Sequence, residues 1–324
     1  MKHIIKQTLL ATATIMAFSA SSCAMADDAF PSKTITMICT HGAGGDTDYN
    51  ARLISRLLEK ELGVSVVVSN VTGANGSIAL TQYKDAKPDG YTLIATNTVS
   101  LASNEASGIS DFGYDAFEPV AIYGKQCGEN IVVQGNAPYK DLNELIAATQ
   151  KDPETIKLGV AMGGSSYIAA LVMMLDKNAQ FAMVDAGGDA SGRMTSLLGG
   201  HIDATIAPYT LAKEYIEAGK VRSLATLMSE KLPATPDIPT AKELGLENLT
   251  VDTMYGILAP KGTDPAIVEK VNAAVLKIVN ENQEYKDTIK SFNYQDPYGL
   301  NVQDTVARLK QQREHFMSFS KYLQ

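Results

Sequence analysis

The chain has 324 residues, 28 basic against 36 acidic side chains, a formal net charge of −8 and 45% hydrophobic residues. An acidic chain without a basic run is a poor partner for nucleic acid. Three cysteines in a chain of this length are not a disulfide framework.

In chain order, the first segment reads as a leader. Lys2 and Lys6 accompany an apolar stretch from Ile4 through Phe18, and Ala24-Met25-Ala26 offers a small-x-small cleavage site before Asp27. This predicts a secretory signal peptide over residues 1–26, because the apolar core is too short to span a bilayer. Cys23 raises a lipid-anchored alternative, weakened by Ala20 where a lipobox prefers leucine. No later segment is a spanning run, so the expected product is exported and soluble. Cys39 and Cys127 remain, either as small buried thiols or as one bridge.

From residue 35 the pattern alternates. β-rich runs such as ITMIC (35–39), VSVVV (64–68), YTLIAT (91–96), VAIYG (120–124), NIVVQ (130–134) and IKLGVAM (156–162) come between helical patterns. In ARLISRLLEKEL, Ile54, Leu57, Leu58 and Leu62 share one face. Further helices are predicted at 75–86, 141–151, 166–177, 190–199, 211–218, 240–244, 265–280 and 303–322. Strand–helix alternation with glycine-rich junctions predicts an α/β fold with mainly parallel sheets. No Pro/Gly/Ser linker divides the chain, so two interleaved domains are expected: 27–126 with 227–324 as a discontinuous domain 1, and 127–226 as domain 2. The cleft should lie where strand-to-helix turns of both domains face each other.

Three glycine turns of one design are candidates for that cleft. The first runs His41-Gly42-Ala43-Gly44-Gly45-Asp46-Thr47-Asp48, the second Gly163-Gly164-Ser165-Ser166, the third Gly187-Gly188-Asp189-Ala190. Glycine lets the backbone turn sharply, and the following helix start presents N–H groups and a positive dipole end. Such turns in different domains predict a pincer for a carboxylate or similar anion, though the same residues also make ordinary loops and N-caps. Asp46, Asp48 and Asp189 would repel an anion beside them; they cap the helices or meet an ammonium or hydroxyl group. Arg193 is a candidate to meet a second carboxylate, but inside a helical run it is expected to be exposed.

Enzymatic readings find little support. The first turn lacks the lysine of a P-loop and is not G-x-G-x-x-G, no nucleophile elbow occurs, and no spacing suggests zinc. His201 and His315 are expected at the surface, leaving His41 with a serine as the outside hydrolase alternative. No catalytic residue, metal or cofactor is expected.

At these residues the chain resembles the periplasmic substrate-binding proteins of tripartite tricarboxylate transporters, the Bug family. The resemblance lies in Pro31-Ser32-Lys33-Thr34-Ile35-Thr36; in Gly44, Gly45, Thr47 and Asp48; in Asn70-Val71-Thr72-Gly73-Ala74-Asn75-Gly76; and in Lys87-Pro88-Asp89-Gly90-Tyr91-Thr92-Leu93. It continues through Gly219-Lys220-Val221-Arg222, Pro236-Asp237-Ile238-Pro239-Thr240, Glu243-Leu244-Gly245 and Gly256-Ile257-Leu258-Ala259-Pro260-Lys261-Gly262-Thr263. It implies a two-domain periplasmic-binding-protein architecture, type II-like and of the Venus-flytrap kind. Such a protein is a monomer that closes on a small organic acid and delivers it to the membrane subunits of the transporter; presentation of the closed form to a sensor protein is the alternative. It also implies that backbone N–H, hydroxyl and water hold the carboxylate, without a salt bridge. The turns concerned are 41–48 and either 163–167, which adds Tyr167, or 186–190, which adds Ala186. Thr96, Asn97 and Thr98 take another cleft-facing family position. His41, Gly42 and Ala43 depart from the family, which usually has an aromatic and two prolines there, so His41 either pairs with the ligand or simply packs.

Overall fold

The computed structural model describes residues 30–162, 164–186 and 190–323. The signal peptide and Cys23 lie outside these residues, as do Gly163 and Gly187–Asp189 of the second and third turns. The elements run β1 (Ile35–Cys39), α1 (Asp46–Leu62), β2 (Val66–Asn70), α2 (Ser77–Tyr83), β3 (Thr92–Asn97), α3 (Thr98–Ala106) and β4 (Phe117–Lys125). They continue through β5 (Glu129–Gln134), α4 (Leu142–Lys151), β6 (Lys157–Val160), α5 (Ser165–Lys177), β7 (Ala182–Asp185) and α6 (Ala190–Leu198). The remainder is β8 (Ala204–Pro208), α7 (Tyr209–Glu217), β9 (Val221–Thr226), β10 (Met254–Pro260), α8 (Pro265–Glu281), α9 (Gln283–Thr288) and α10 (Val302–Met317).

The strands form two sheets of the same design, ordered β2-β1-β3-β10-β4 and β7-β6-β8-β5-β9. In the first, β10 pairs antiparallel with both neighbours while β1 pairs parallel with β2 and β3. In the second, β5 plays the part of β10. Each sheet is therefore largely parallel with one reversed strand. That reversed strand is the one reached by a passage from the other sheet. Strands buried on both faces read as continuous apolar runs, and every residue of β10 is buried.

Helices α1 and α8 pack on the first sheet, with Leu57, Leu58 and Val271 against Ile35 and Met37. Their ends follow local chemistry: Gly63 closes α1 in the left-handed region at φ 72°, and Asp264 caps α8 ahead of Pro265. The second sheet packs on α4 and α5 through Leu145, Ile168 and Val172. That core also takes Val99, Ala102 and Ala106 from α3 and Phe316 from α10, so apolar packing continues from one sheet to the other.

One reading changes and one alternative is decided. Thr98–Ala106 is a helix, where none is predicted from the sequence. Cys39 and Cys127 are both buried and free, and burial pushes the Cys127 thiol up to about 12; the bridge is not formed. No helix among the described residues is long and apolar enough to cross a membrane.

Candidate functional site

A polar cavity of about 270 Å³ lies between the carboxyl ends of strands from the two sheets. His41, Asp46, Asn75, Asn97 and Ser100 line it from the first sheet's side, and Glu129, Gly164, Ser165, Ser166 and Arg193 from the second's. Gln126 sits where the chain passes between β4 and β5 and lines the same space. A larger depression of about 480 Å³ lies against the outer face of α1, with Gly44, Asp48, Tyr49 and Arg52 in its wall. Gly44 of the first turn, α1, β2 and the end of α9 supply that wall, all on the first sheet's side, so it is not the cleft between the sheets.

His41 follows β1 and is fixed from three directions. Its Nδ1 lies 2.8 Å from the Thr40 hydroxyl, and its Nε2 lies 3.1 Å from Asn97 Nδ2 and 3.3 Å from Ser100 Oγ. Asn97 caps α3, where its Oδ1 accepts the Ser100 N–H at 2.7 Å. Its amide nitrogen therefore faces His41, which makes Nε2 the acceptor and leaves the proton on Nδ1. The Thr40 hydroxyl passes its own proton to Thr96 at 3.0 Å. Burial lowers the His41 pKa, against a smaller upward pull from Asp46. The neutral imidazole follows from geometry and electrostatics alike. Gly76, at φ 86°, lets the chain pass this close: a Cβ there would meet Thr40 at 3.2 Å and the His41 ring at 3.3 Å.

The first glycine turn folds onto its own acids. Asp48 is buried and accepts from Gly44 N at 2.9 Å, Asn70 Nδ2 at 2.7 Å and Arg52 Nε at 3.0 Å. Burial alone would raise its pKa, but these hydrogen bonds outweigh burial and the net shift is downward. Ala43, Gly44 and Gly45 are exposed and do not line the cavity; Gly45 is the N-cap of α1. Asp46 does line it. Its Oδ2 accepts from Gln126 Nε2 at 2.5 Å and from the Tyr255 hydroxyl at 2.9 Å, and its Oδ1 from Thr47 N at 2.8 Å. Thr47 is buried behind the turn.

Across the cavity, Gly164 starts α5, and the Ser166 hydroxyl accepts from Ala161 N at 2.9 Å to close the turn. The first-turn amides of a helix have no acceptor within it and carry its positive dipole end. Arg193 stands one turn into α6. It is 5% exposed, lines the cavity and donates from Nη2 to Ile206 O at 3.2 Å. The expectation of an exposed Arg193 is therefore wrong: α6 turns that face inward, and a guanidinium buried there needs acceptors. Glu129, the first residue of β5, is 9% exposed, and burial pushes its carboxyl up to about 7 despite the pull of Arg193. The cavity is thus charged, which the expectation of neutral dipoles alone did not include.

Of the remaining candidates, Thr98 is buried with its hydroxyl on Met254 N at 3.3 Å, Tyr167 packs against the second core and Ala186 against a neighbouring cluster. His201 is exposed, and His315 is half-buried. No sequence pattern marks Ser100, Gln126 or Glu129. They come from a helix without an amphipathic pattern and from the passage between the sheets. No group of three metal-binding side chains occurs among the described residues.

Comparison with known proteins places these features in a family. Residues 50–318 match the model of the tripartite tricarboxylate transporter family receptor. The UPF0065 protein in the gbd 5′ region of Cupriavidus necator is 30% identical over 308 residues, 93% of this chain and 91% of that protein. Protein BugT of Bordetella pertussis is 30% identical over 271 residues, covering 82% and 81% of the two chains. Among solved structures, the periplasmic binding protein BugD is similar at TM-score 0.74 and 25% identity, with 91% of this chain and 98% of that one covered. MatC from Rhodopseudomonas palustris with bound malate superposes at TM-score 0.73 and 26% identity, covering 91% and 100%. With two matching sheets, a polar cleft between them and a family match over most of its length, the chain belongs to the tripartite tricarboxylate transporter receptor family, whose members are solute-binding proteins and not enzymes.

Proposed function

We propose that this chain is a periplasmic receptor that captures a small organic acid between its two sheets and hands it to the membrane subunits of a tripartite transporter. The observation that carries this reading is the cavity itself, enclosed by both sheets and lined on one side by Arg193 and the start of α5. A carboxylate placed there meets a guanidinium and helix-start amides, the usual partners of an anion. His41, Asn97 and Ser100 face it from the other side and can hydrogen-bond the rest of the solute. The volume equals about nine waters at ~30 Å³ each, room for a small organic acid. MatC with bound malate, at 26% identity, supports the same class of solute.

A solute that binds only the folded protein raises its melting midpoint, by the equivalent of about 2.7 kcal/mol at a hundredfold excess over Kd. Thermal-shift measurements with malate, succinate, citrate, aspartate and glutamate should show a rise of several degrees for at least one. If all five leave the midpoint unchanged at millimolar concentration, the reading is wrong.

A further inference from the structure

We propose that the solute is a zwitterion, its carboxylate on the Arg193 side of the cavity and its ammonium held by Glu129 and Gln126. The inference rests on the receptor reading above and narrows it.

Two buried acceptors line the cavity and lack donors. Glu129 Oε2 and Gln126 Oε1 are buried without a hydrogen-bond partner among the described residues. Both residues are more than nine-tenths buried, at 9% and 8% exposure. An acceptor left unsatisfied in a low-dielectric site carries its full desolvation cost. Both atoms are shielded from solvent. The Glu129 backbone is pinned by Leu227 N donating to its carbonyl at 2.8 Å, and the Gln126 side chain is spent through Nε2 on Asp46. What the pair lacks is a compact group with several N–H donors, and an ammonium has three.

Charge balance points the same way. Among the described residues, Glu129, Asp46, Arg193 and His41 are the titratable groups lining the cavity. Asp46 already receives three donors and needs nothing from a solute, and His41 is neutral. One cation therefore faces two carboxyls. A dicarboxylate would add two more negative charges to this dry space, where Arg193 is the one lining cation among the described residues, an arrangement penalised by desolvation. A solute with one carboxylate and one ammonium matches Arg193 and Glu129 pole for pole. Without solute, burial keeps Glu129 largely protonated below about pH 7. An ammonium beside it favours the carboxylate, and the displaced proton leaves to the buffer.

Isothermal titration of the full mature chain with matched acids tests this directly. The probes are aspartate against succinate, glutamate against glutarate, and alanine against propionate, with malate as the hydroxyl case. In at least one pair the amino acid should bind about tenfold tighter or more than its amine-free partner and malate. At pH 6, its titration in two buffers of different ionisation enthalpy should show a proton released. Glu129→Gln should erase the preference and the proton release. The wild-type comparison stands even if that variant folds poorly. Binding of malate or an amine-free acid as tight as or tighter than the amino acid overturns the zwitterion and leaves the receptor reading intact. Retention of the preference in a folded Glu129→Gln protein overturns it too. No binding by any of the seven overturns both.

Discussion

A carboxyl set into a closing cleft must leave a mark on stability even with no solute present, and Glu129 is where to look. Its pKa rises on folding from the ordinary glutamate value to about 7, with burial as the cause. The folded chain therefore holds a proton that the unfolded chain has released between roughly pH 4.5 and 7. The sign follows: stability is full below the unfolded value and falls as pH rises through this window, by on the order of 3 kcal/mol in total. In urea unfolding, Glu129→Gln should lose this slope and gain on wild type between pH 5 and pH 8. Equal pH dependence in the two proteins would show that Glu129 is not buried as described. None of this was legible in the sequence, where Glu129 merely precedes the apolar run NIVVQ. His41 was legible as a departure from its relatives, yet its state was not. Only Asn97, arriving from another strand, decides which ring nitrogen carries the proton.

Helix α3 shows most clearly why some elements can be read ahead and others cannot. The amphipathic α1 and the strands ITMIC, NIVVQ and YTLIAT announce themselves, since one buried face or a continuous apolar run sets their period. TVSLASNEA has neither. Eight of its nine residues are buried, half of them polar, because it sits between the two cores. Arg313 of α10 grips Glu105 from behind with two hydrogen bonds, one at 2.7 Å from Nε. The other end of α3 presents Asn97 and Ser100 to His41. Asn97→Ala should therefore cost about 1 kcal/mol through the lost cap and release the His41 ring as well. Asn97→Asp keeps the cap but places a carboxylate oxygen at Nε2, which should raise the His41 pKa and move its proton. Denaturant unfolding and histidine proton NMR separate the two effects. If the Asp variant loses as much stability as the Ala variant, the cap does not hold α3. The missed inward face of α6 is a similar case: periodicity finds the helix, but only tertiary packing decides that Arg193 points into the cleft.

At the scale of the whole molecule, the interleaved connectivity expected from the missing linker corresponds to strands β1 to β4 and β10 in one sheet and β5 to β9 in the other. If residues 27–126 with 227–324 move as one lobe and 127–226 as the other, the two passages are the hinge. The first is short, 126–128, and the second runs 227–253; both are well bonded: Gln126 N reaches Thr253 O at 2.9 Å, Gln295 Nε2 reaches Gln126 O at 2.9 Å, and Leu227 N reaches Glu129 O at 2.8 Å. Glu129 and Gln126 thus belong both to the cavity wall and to the turn about which it would close. The arrangement seen is a shut one, with Val99 and Ala102 of α3 against the second core. Ala106 and Phe316 join Val99 and Ala102 in that core, so what opposes closure of the empty protein is the unpaired acceptors in the cleft. A solute that satisfies those acceptors should close it, because a ligand shifts the balance only by its differential affinity. A compact chain of this size has a radius of gyration of about 19 Å. Small-angle scattering of the solute-free mature protein should exceed the value calculated from the shut arrangement, and saturation with the tightest-binding acid should bring it down to that value. A radius already equal to the shut value without solute, and unmoved by it, would mean that the cleft does not open by lobe motion and that solute enters by a local path.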